Sequence, residues 1–233
     1  MKISPWKINF NATLSDYEEI ITWTEFPAHT HSVINNCLKN NTLVVAYHEN
    51  EIIGYIAFNY DTVSIFISMA ETHPKFFRKG VAKFIVEKLV KKHKNSEFKA
   101  LYLYCSPQET KYIWKKIGFN YLPAGAKEDN KVYMSLEFGE ISTVEFWNEA
   151  NESIKNKIEI WDNECPKDYE KPKWVSKIEK HDSGNYLVRP FFFFGNEKWQ
   201  IKITVDGSSK FYRYKDYDRK SNVYECFYID KLK

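Results

Sequence analysis

The hydrophobic and polar positions of this 233-residue chain change their period several times, and each change predicts a structural element. Three apolar, β-branched runs at 42–48, 52–60 and 62–72 are separated by short polar breaks. Such runs predict strands, and the short breaks predict an antiparallel meander. Over 80–93 the apolar residues recur every three or four positions, which predicts an amphipathic helix.

The flanking segments complete a mixed order of strands and helices. We predict strands at 2–10, 100–105, 119–123 and 131–138 and helices at 16–23, 30–38 and 108–117. Ser15 and Glu18 have the spacing of a capping box at the start of the first helix. The crossover between 62 and 105 requires a parallel pair in an otherwise antiparallel sheet, where two strands can separate and leave a slot for a ligand.

The pattern changes after residue 138. Helical spacing over 141–160 predicts one or two helices, and β-prone runs at 174–179, 186–194, 199–205, 211–214 and 224–232 predict a small antiparallel sheet. Gly195 with Asn196, and Asp206 with Gly207, have the composition of hairpin turns. The four phenylalanines at 191–194 cannot all lie on one strand face, so some must pack on the first domain, another chain or a ligand.

These elements predict an α+β protein with two domains. Residues 1–138 form a mixed, mostly antiparallel sheet flanked by helices. Residues 139–233 form a helix with a small antiparallel sheet. The role of the second domain is unknown, and an interaction module that carries a homodimer contact is one interpretation.

Composition narrows the class of protein. The chain is 43% hydrophobic, 28% charged and 17% aromatic, which is typical of a globular protein. A net charge of +3 is too small to indicate nucleic-acid binding, and the lysines at 88–94 fit a solvated helix face better. Four widely spaced cysteines give no disulfide framework. Without a signal peptide or a membrane-spanning run, we expect a cytoplasmic protein with no membrane partner.

A sharp basic turn joins the strand at 62–72 to the helix at 80–93. A helix that begins at Gly80 or Val81 leaves backbone N–H groups unpaired beside Arg78 and Lys79. These groups, the helix dipole and two cations suit a phosphorylated ligand. The alternative interpretation is an ordinary strand–helix junction with exposed basic residues.

Two further groups of side chains are weaker candidates for chemistry. His29 and His31 are close enough for a metal pair, but no third ligand is visible nearby, and a polar loop beside a cleft is the better interpretation. Cys105 lies at the end of a buried strand and has no evident histidine partner in the sequence. A buried structural cysteine is therefore favoured over a nucleophile.

Three segments together resemble the GNAT superfamily of acyl-CoA-dependent N-acyltransferases, over about residues 1–138. The segment 72–82 is similar to the family's pyrophosphate turn, usually written [R/Q]-x-x-G-x-[G/A]. The segment 112–119 is similar to its helix that ends in Gly-Phe. The sequence Ile-Ile-Gly-Tyr-Ile-Ala at 52–57 resembles the second strand of its meander.

The sequence departs from the family pattern at three positions. Phe77 stands where the turn usually has Arg or Gln, with Arg78 one place later. Trp114 stands where a tyrosine often protonates the leaving thiolate, and an indole N–H is no such acid. Pro107 aligns with a frequent asparagine. An acyl-CoA-binding sensor or scaffold with weak catalysis is therefore the alternative to an active enzyme.

The resemblance implies acetyl-CoA as the cosubstrate and direct attack by a primary amine of a small molecule or peptide. The pyrophosphate would lie on the amides of residues 79–82, and the pantetheine between the strands at 62–72 and 100–105. Backbone N–H groups near 70–72 would hold the oxyanion. The implied contacts of the cosubstrate are Ala70, Thr72, Arg78, Lys79, Gly80, Val81, Ala82 and Trp114.

Glu71 is the candidate general base. Strand alternation turns it away from Ala70 and Thr72, and toward the cleft if those two residues face the helix. The alternative is a solvent-exposed carboxylate at a strand end. Residues 20–35, which contain aromatic and histidine side chains, correspond to the acceptor-binding region of the family.

Overall fold

The computed structural model describes residues 6–127, 130–167, 169–182, 184–196, 198–217 and 226–233. The chain divides into two compact units. One comprises Met1–Asn120 with Met134–Phe138, and the other comprises Tyr121–Tyr133 with Gly139–Lys233. Within the described ranges, no helix is both long and apolar enough to cross a membrane.

A seven-stranded sheet organises the N-terminal part of the chain. Its strands and the accompanying helices are β1 Trp6–Asn9, α1 Leu14–Trp23, α2 His31–Lys39, β2 Leu43–His48, β3 Glu51–Tyr60, β4 Ser64–Thr72, α3 Val81–His93, β5 Ala100–Cys105, α4 Lys111–Ile117, β6 Asn120–Tyr121 and β7 Val132–Glu137. The strand order is β1-β2-β3-β4-β5-β7-β6. The antiparallel meander β2–β4 and the parallel pair β4–β5 confirm the sequence prediction. Residues 2–5 of the predicted first strand lie outside the described residues.

The alternation of apolar residues gives this sheet two packed faces. On one face α1 and α2 cover β2–β4 around Ile20, Ile34 and Tyr55. On the other face α3 approaches β3 closely, and a Cβ added to Gly54 would lie 2.8 Å from Cγ1 of Val81. Gly54 therefore allows the close approach of a helix, one of the two roles expected for a glycine within a strand.

The first helix begins earlier than its sequence pattern predicts. Thr13 is the N-cap, because its Oγ1 accepts the N–H of Asp16 at 3.3 Å and the Asp16 carboxylate accepts the N–H of Thr13 at 2.6 Å. The predicted capping box of Ser15 and Glu18 was wrong. The hydroxyl of Tyr47 on β2 also donates to Asp16 at 2.6 Å, and this distant contact is invisible in the local pattern.

The second unit is antiparallel, as predicted. Its elements are β8 Val144–Phe146, β9 Lys157–Trp161, β10 Trp174–Lys177, β11 Tyr186–Phe194, β12 Gln200–Val205, β13 Ser208–Arg213, α5 Tyr214–Tyr217 and β14 Cys226–Lys231. Five strands pair in the order β13-β12-β9-β10-β8, and β11 pairs with β14. The two sheets and the mixed sheet before them confirm the predicted α+β class.

The helix predicted over 141–160 was wrong. This segment contains β8, a 3-10 turn at Glu149–Ser153 and β9. All five residues of β9 are buried, and the strand pairs with β10 on one side and β12 on the other. Pairing on both sides outweighs the helical spacing of the apolar residues, because strand formation depends strongly on tertiary context.

One of the two predicted hairpin turns is present. Asp206 and Gly207 join β12 to β13 with φ values of 51° and 82°, as a two-residue hairpin turn with left-handed residues requires. The hairpin at Gly195 was wrong, since β11 pairs with β14 and not with β12. A Cβ at Gly195 would lie 2.9 Å from the rings of Phe227 and Trp199, so ring packing requires this glycine.

The phenylalanine run at 191–194 is buried on both strand faces. No ring in it is more than 3% exposed. The ring of Phe193 packs against Trp174 at 5.1 Å and Phe227 at 6.3 Å. These rings therefore belong to the described hydrophobic core of the chain.

Candidate active site

β4 and β5 pair only at their beginnings. Three parallel pairs are present, and the last joins Phe66 to Tyr102. Beyond them β4 continues to Thr72 and β5 to Cys105, and these fully described segments form no further pair with each other. The predicted separation of the two strands is therefore present. Since alternate residues of a strand turn their N–H and C=O groups to either side, β4 offers unpaired backbone groups to this slot.

A bulge in β4 lies at the start of the slot. Ser68 has no partner on β3, because Ile67 and Met69 pair with two consecutive residues of β3. The Ser68 hydroxyl accepts a hydrogen bond from Asn59 Nδ2 at 2.7 Å. The extra residue reverses the alternation of β4 and turns Glu71 to the face covered by α1 and α2.

The turn between β4 and α3 contains two left-handed residues, Arg78 with φ 62° and Gly80 with φ 91°. The N–H of Phe84 donates to the carbonyl of Gly80 at 3.0 Å, which starts the helical ladder. Among the described residues, the N–H groups of residues 80–83 have no hydrogen-bond partner. Four free donors at the positive end of a 13-residue helix suit a phosphate.

Lys79 differs from its predicted role in one respect. Its N–H donates to the carbonyl of Phe76 at 3.2 Å, so this amide is used within the turn and the group of free amides begins at Gly80. Its ammonium lies 4.7 Å from the centre of the Phe76 ring. Phe77, at the usual Arg or Gln position, is 50% exposed. Arg78 and Lys79 are thus the cations of this turn.

Glu71 is held by three donors. Its Oε1 accepts the backbone N–H of Glu25 at 2.9 Å. Its Oε2 accepts the hydroxyls of Thr24 and Tyr55, the latter at 3.3 Å. Glu71 is therefore not a free carboxylate at a strand end. Since Oε1 accepts one hydrogen bond and has two lone pairs, it can accept a second donor.

Ala70 and Thr72 lie on the opposite face from Glu71. Thr72 is directly opposite Gly54, where an added Cβ would point at α3. Ala70 and Thr72, two residues apart on the same strand, therefore both face this helix. The predicted alternation around Glu71 is therefore correct.

Sequence reasoning missed the partners of Glu71. Thr24 is 47 residues and Tyr55 16 residues away along the chain. Tyr55 could have been found from strand register, because it lies directly opposite Glu71 on β3. Burial raises the pKa of Tyr55, so its hydroxyl stays a donor to the carboxylate.

His73, two residues after Glu71, is poorly arranged to act as a base. Its Nδ1 accepts the N–H of Lys75 at 3.3 Å, which assigns the ring proton to Nε2. Nε2 lies 4.0 Å from Oε1 of Glu51. The ring packs against Trp23 at 5.0 Å. The structure thus gives His73 a capping and packing role.

Trp114 is half-buried on α4, where its ring meets Phe119 edge-on at 5.2 Å. Tyr112 is 63% exposed and lies on a different face of the helix from Trp114. No described contact joins either ring to β4.

Cys105 is 4% exposed, and its Sγ lies 3.6 Å from Sδ of Met134. Burial raises the pKa of the Cys105 thiol, which disfavours the reactive thiolate. His31 Nε2 lies 3.1 Å from the carbonyl oxygen of Phe26, and His29 is exposed. Across the described ranges, no three His, Cys, Asp or Glu side chains converge as a metal site would require.

The sequence of residues 8–119 matches the Acetyltransferase (GNAT) family. The match covers slightly less than half of the chain and does not extend beyond residue 119. No curated protein matches the chain.

Several solved structures are similar to about three-fifths of the chain. The ribosomal-protein-S18-alanine N-acetyltransferase of Escherichia coli is 12% identical, with 57% of this chain and 94% of that chain covered and a TM-score of 0.47. The PaiA N-acetyltransferase of Thermoplasma acidophilum, solved with coenzyme A, is 13% identical, with 58% and 99% covered and a TM-score of 0.48.

Proposed function

We propose that residues 1–138 form a domain that transfers an acetyl group from acetyl-CoA to a primary amine of a small molecule or peptide. Residues 139–233 form a separate domain with a different role. One observation carries the proposal: the slot between β4 and β5 leads to a helix N-terminus with free amides and two cations. An extended thiol cofactor with a pyrophosphate needs both features.

The cosubstrate binds along this path. Its pyrophosphate accepts hydrogen bonds from the N–H groups of residues 80–83, with Arg78 and Lys79 as counter-charges. The pantetheine contains amide groups, and these pair with the free backbone edge of β4 as an added strand does. The thioester then lies in the slot beside residues 68–72.

The amine attacks the thioester carbonyl directly. Glu71 accepts the proton that the ammonium must lose. N–H groups between Ala70 and Thr72 hold the oxyanion, and one such donor is worth about 3 kcal/mol. The C–N bond forms as the C–S bond breaks. Water protonates the thiolate, because Trp114 has no acidic proton to give.

A second function has its own supporting observations. Phe77 removes a usual side-chain contact from the turn, and Trp114 removes the usual acid, as expected of an acyl-CoA sensor or scaffold. Calorimetric titration with acetyl-CoA, followed by thiol release on a panel of amines, separates the two. Binding with release supports the enzyme, and binding without release supports the sensor. No binding would contradict both.

A further inference from the structure

Three aromatic side chains lie on the sheet face of Glu71 at the start of the slot. Phe66 and Tyr102 form the last β4–β5 pair, and Tyr104 follows two residues later on β5. The ring of Phe66 lies 5.0 Å from that of Tyr102, and 6.0 Å from that of Tyr104 at an interplanar angle of 24°. We call these three rings the aromatic shelf.

The shelf is rigid at its base and open at its edge. Tyr102 is 4% exposed, and its hydroxyl donates to the carboxylate of Asp61. Phe66 is half-buried, whereas Tyr104 is 41% exposed. Tyr102 thus belongs to the buried core and fixes the base of the shelf, whereas the ring of Tyr104 keeps an exposed surface.

Strand register relates the shelf to Glu71. Phe66 is opposite Asn59 on β3 and Glu71 is opposite Tyr55, so both side chains lie on one sheet face. Counted from the last β4–β5 pair, Tyr104 is two residues along β5 and Glu71 is five residues along β4, a difference of three residues. At about 3.3 Å per residue, this separation is about 10 Å along the strand.

We propose that the aromatic shelf binds the acceptor, and that the acceptor is a small arylalkylamine. This inference rests on the proposed acetyl transfer. The ring of the acceptor stacks on Tyr104 and Phe66, and its ammonium points to the carboxylate of Glu71. The separation suits a ring and an amine joined by a short alkyl chain, and aromatic rings favour an offset stack of this kind.

The reaction is balanced with these groups alone. The proton lost by the ammonium goes to Glu71 and then to water. The amine nitrogen forms a bond to the acetyl carbon, and the bond from that carbon to the CoA sulfur breaks. After the attack the nitrogen loses its second proton to water, and the departing CoA thiolate takes a proton from water. The products are an N-acetyl arylalkylamine, CoA thiol and one proton released to solvent.

The test compares three amines on the full chain: 2-phenylethylamine, 2-cyclohexylethylamine and propylamine. We expect 2-phenylethylamine to have at least a tenfold higher kcat/KM than the other two. Tyr104→Ala should raise the KM for 2-phenylethylamine about tenfold, while kcat/KM for propylamine stays within twofold. Tyr104→Phe should restore the wild-type KM. Tyr112→Ala, which removes an exposed ring from α4, is the matched control and should change neither amine.

The experiment gives different results if the acceptor-site proposal is wrong and if the proposed acetyl transfer is wrong. If all three amines are acetylated equally, or Tyr104→Ala impairs them equally, acetyl transfer stands and the shelf proposal is wrong. If no amine releases CoA, acetyl transfer is wrong. Binding of 2-phenylethylamine by saturation-transfer NMR in the presence of CoA then decides the shelf alone. Binding that Tyr104→Ala abolishes would support it, and any other result would overturn it.

Discussion

Glu71 owes its position to contacts from two other segments of the chain. Its place on a strand end follows from the local sequence, and so does its alternation with Ala70 and Thr72. The donors Thr24 and Tyr55 do not, since tertiary folding brings them together. A single sequence thus identifies a candidate carboxylate, whereas the groups that orient it emerge only from the fold.

Glu71→Gln tests the role of this carboxylate. A glutamine keeps the shape of the side chain but cannot accept the proton, so kcat/KM should fall about 100-fold or more. The acetyl-CoA dissociation constant should stay within about twofold. Steady-state thiol release and calorimetry measure the two quantities. Glu25→Gln is the control, because Glu25 contacts Glu71 through its backbone N–H alone among the described hydrogen bonds. Unchanged activity of Glu71→Gln would exclude it as the base.

Trp114→Phe tests whether water protonates the leaving thiolate. The variant removes the indole N–H and keeps a ring that can contact Phe119. We expect kcat to stay within about twofold, because an indole N–H has no accessible acid chemistry. A tenfold loss of kcat with unchanged affinity for acetyl-CoA would show that the indole acts in the reaction.

His93 should make the first unit sensitive to acid. It is 6% exposed among Phe58, Tyr60 and Phe98, and its buried Nε2 has no partner within the described structure. Burial, assisted by the charge of Lys92, lowers the pKa of His93 below its ordinary value near 6.5. The folded state therefore favours the neutral ring. The stability that the neutral His93 ring gives the folded state is fully present above pH 6.5, and it declines as the pH falls toward the lowered pKa.

The measurement is the melting temperature at pH 7.5 and pH 5.5. His93→Phe should lose less stability between the two values than the wild type. His29→Gln, at an exposed position, should follow the wild type. Equal losses in His93→Phe and the wild type would show that the His93 ring does not titrate in this range.

At the scale of elements, the contact between α3 and β3 positions the turn. Gly54 permits this contact, and a Cβ there would also lie 2.9 Å from the carbonyl oxygen of Glu71. Gly54→Ala should therefore destabilise the protein by about 1–3 kcal/mol, as overpacking commonly does. It should also weaken acetyl-CoA binding, because the start of α3 must shift.

Thermal unfolding and calorimetry measure both effects of Gly54→Ala. Gly184→Ala is the control, since no atom of a described residue other than its chain neighbours lies within 4 Å of its added Cβ. A substitution there should change stability by less than about 0.5 kcal/mol. If Gly54→Ala keeps the stability and the acetyl-CoA affinity of the wild type, the contact between α3 and β3 is not tight.

Elements with one strong local period could be predicted, and those that depend on distant pairing could not. The 3.6-residue pattern of α3 and the alternating runs of β2–β4 are local properties. The segment 141–160 has a helical spacing, yet β9 is a strand because β10 and β12 pair with it. The start of α1 was misplaced for a similar reason, since Tyr47 fixes Asp16 from β2.

At the scale of the whole molecule, the sequence indicates two domains but not which residues belong to each. We predicted a boundary at residue 138, and it remains a proposal. Residues 121–133 group with 139–233 in the described structure. Within that unit, a Cβ on Gly125 would lie 2.6 Å from Nζ of Lys173. A long-range contact of this kind leaves no trace in the periodicity of either segment.

The amides after Gly80 are the proposed binding site for the pyrophosphate of acetyl-CoA. Calorimetric titration of acetyl-CoA into the wild type, Gly80→Asn and Gly80→Asp tests this contact. Gly80 has φ 91°, and no atom in the described part of the chain lies within 4 Å of an added Cβ, so Asn and Asp impose the same backbone strain and differ in charge. We predict that Asp binds at least tenfold more weakly than Asn. Equal affinities of the two folded variants, or no binding by the wild type, would show that these amides do not hold the pyrophosphate.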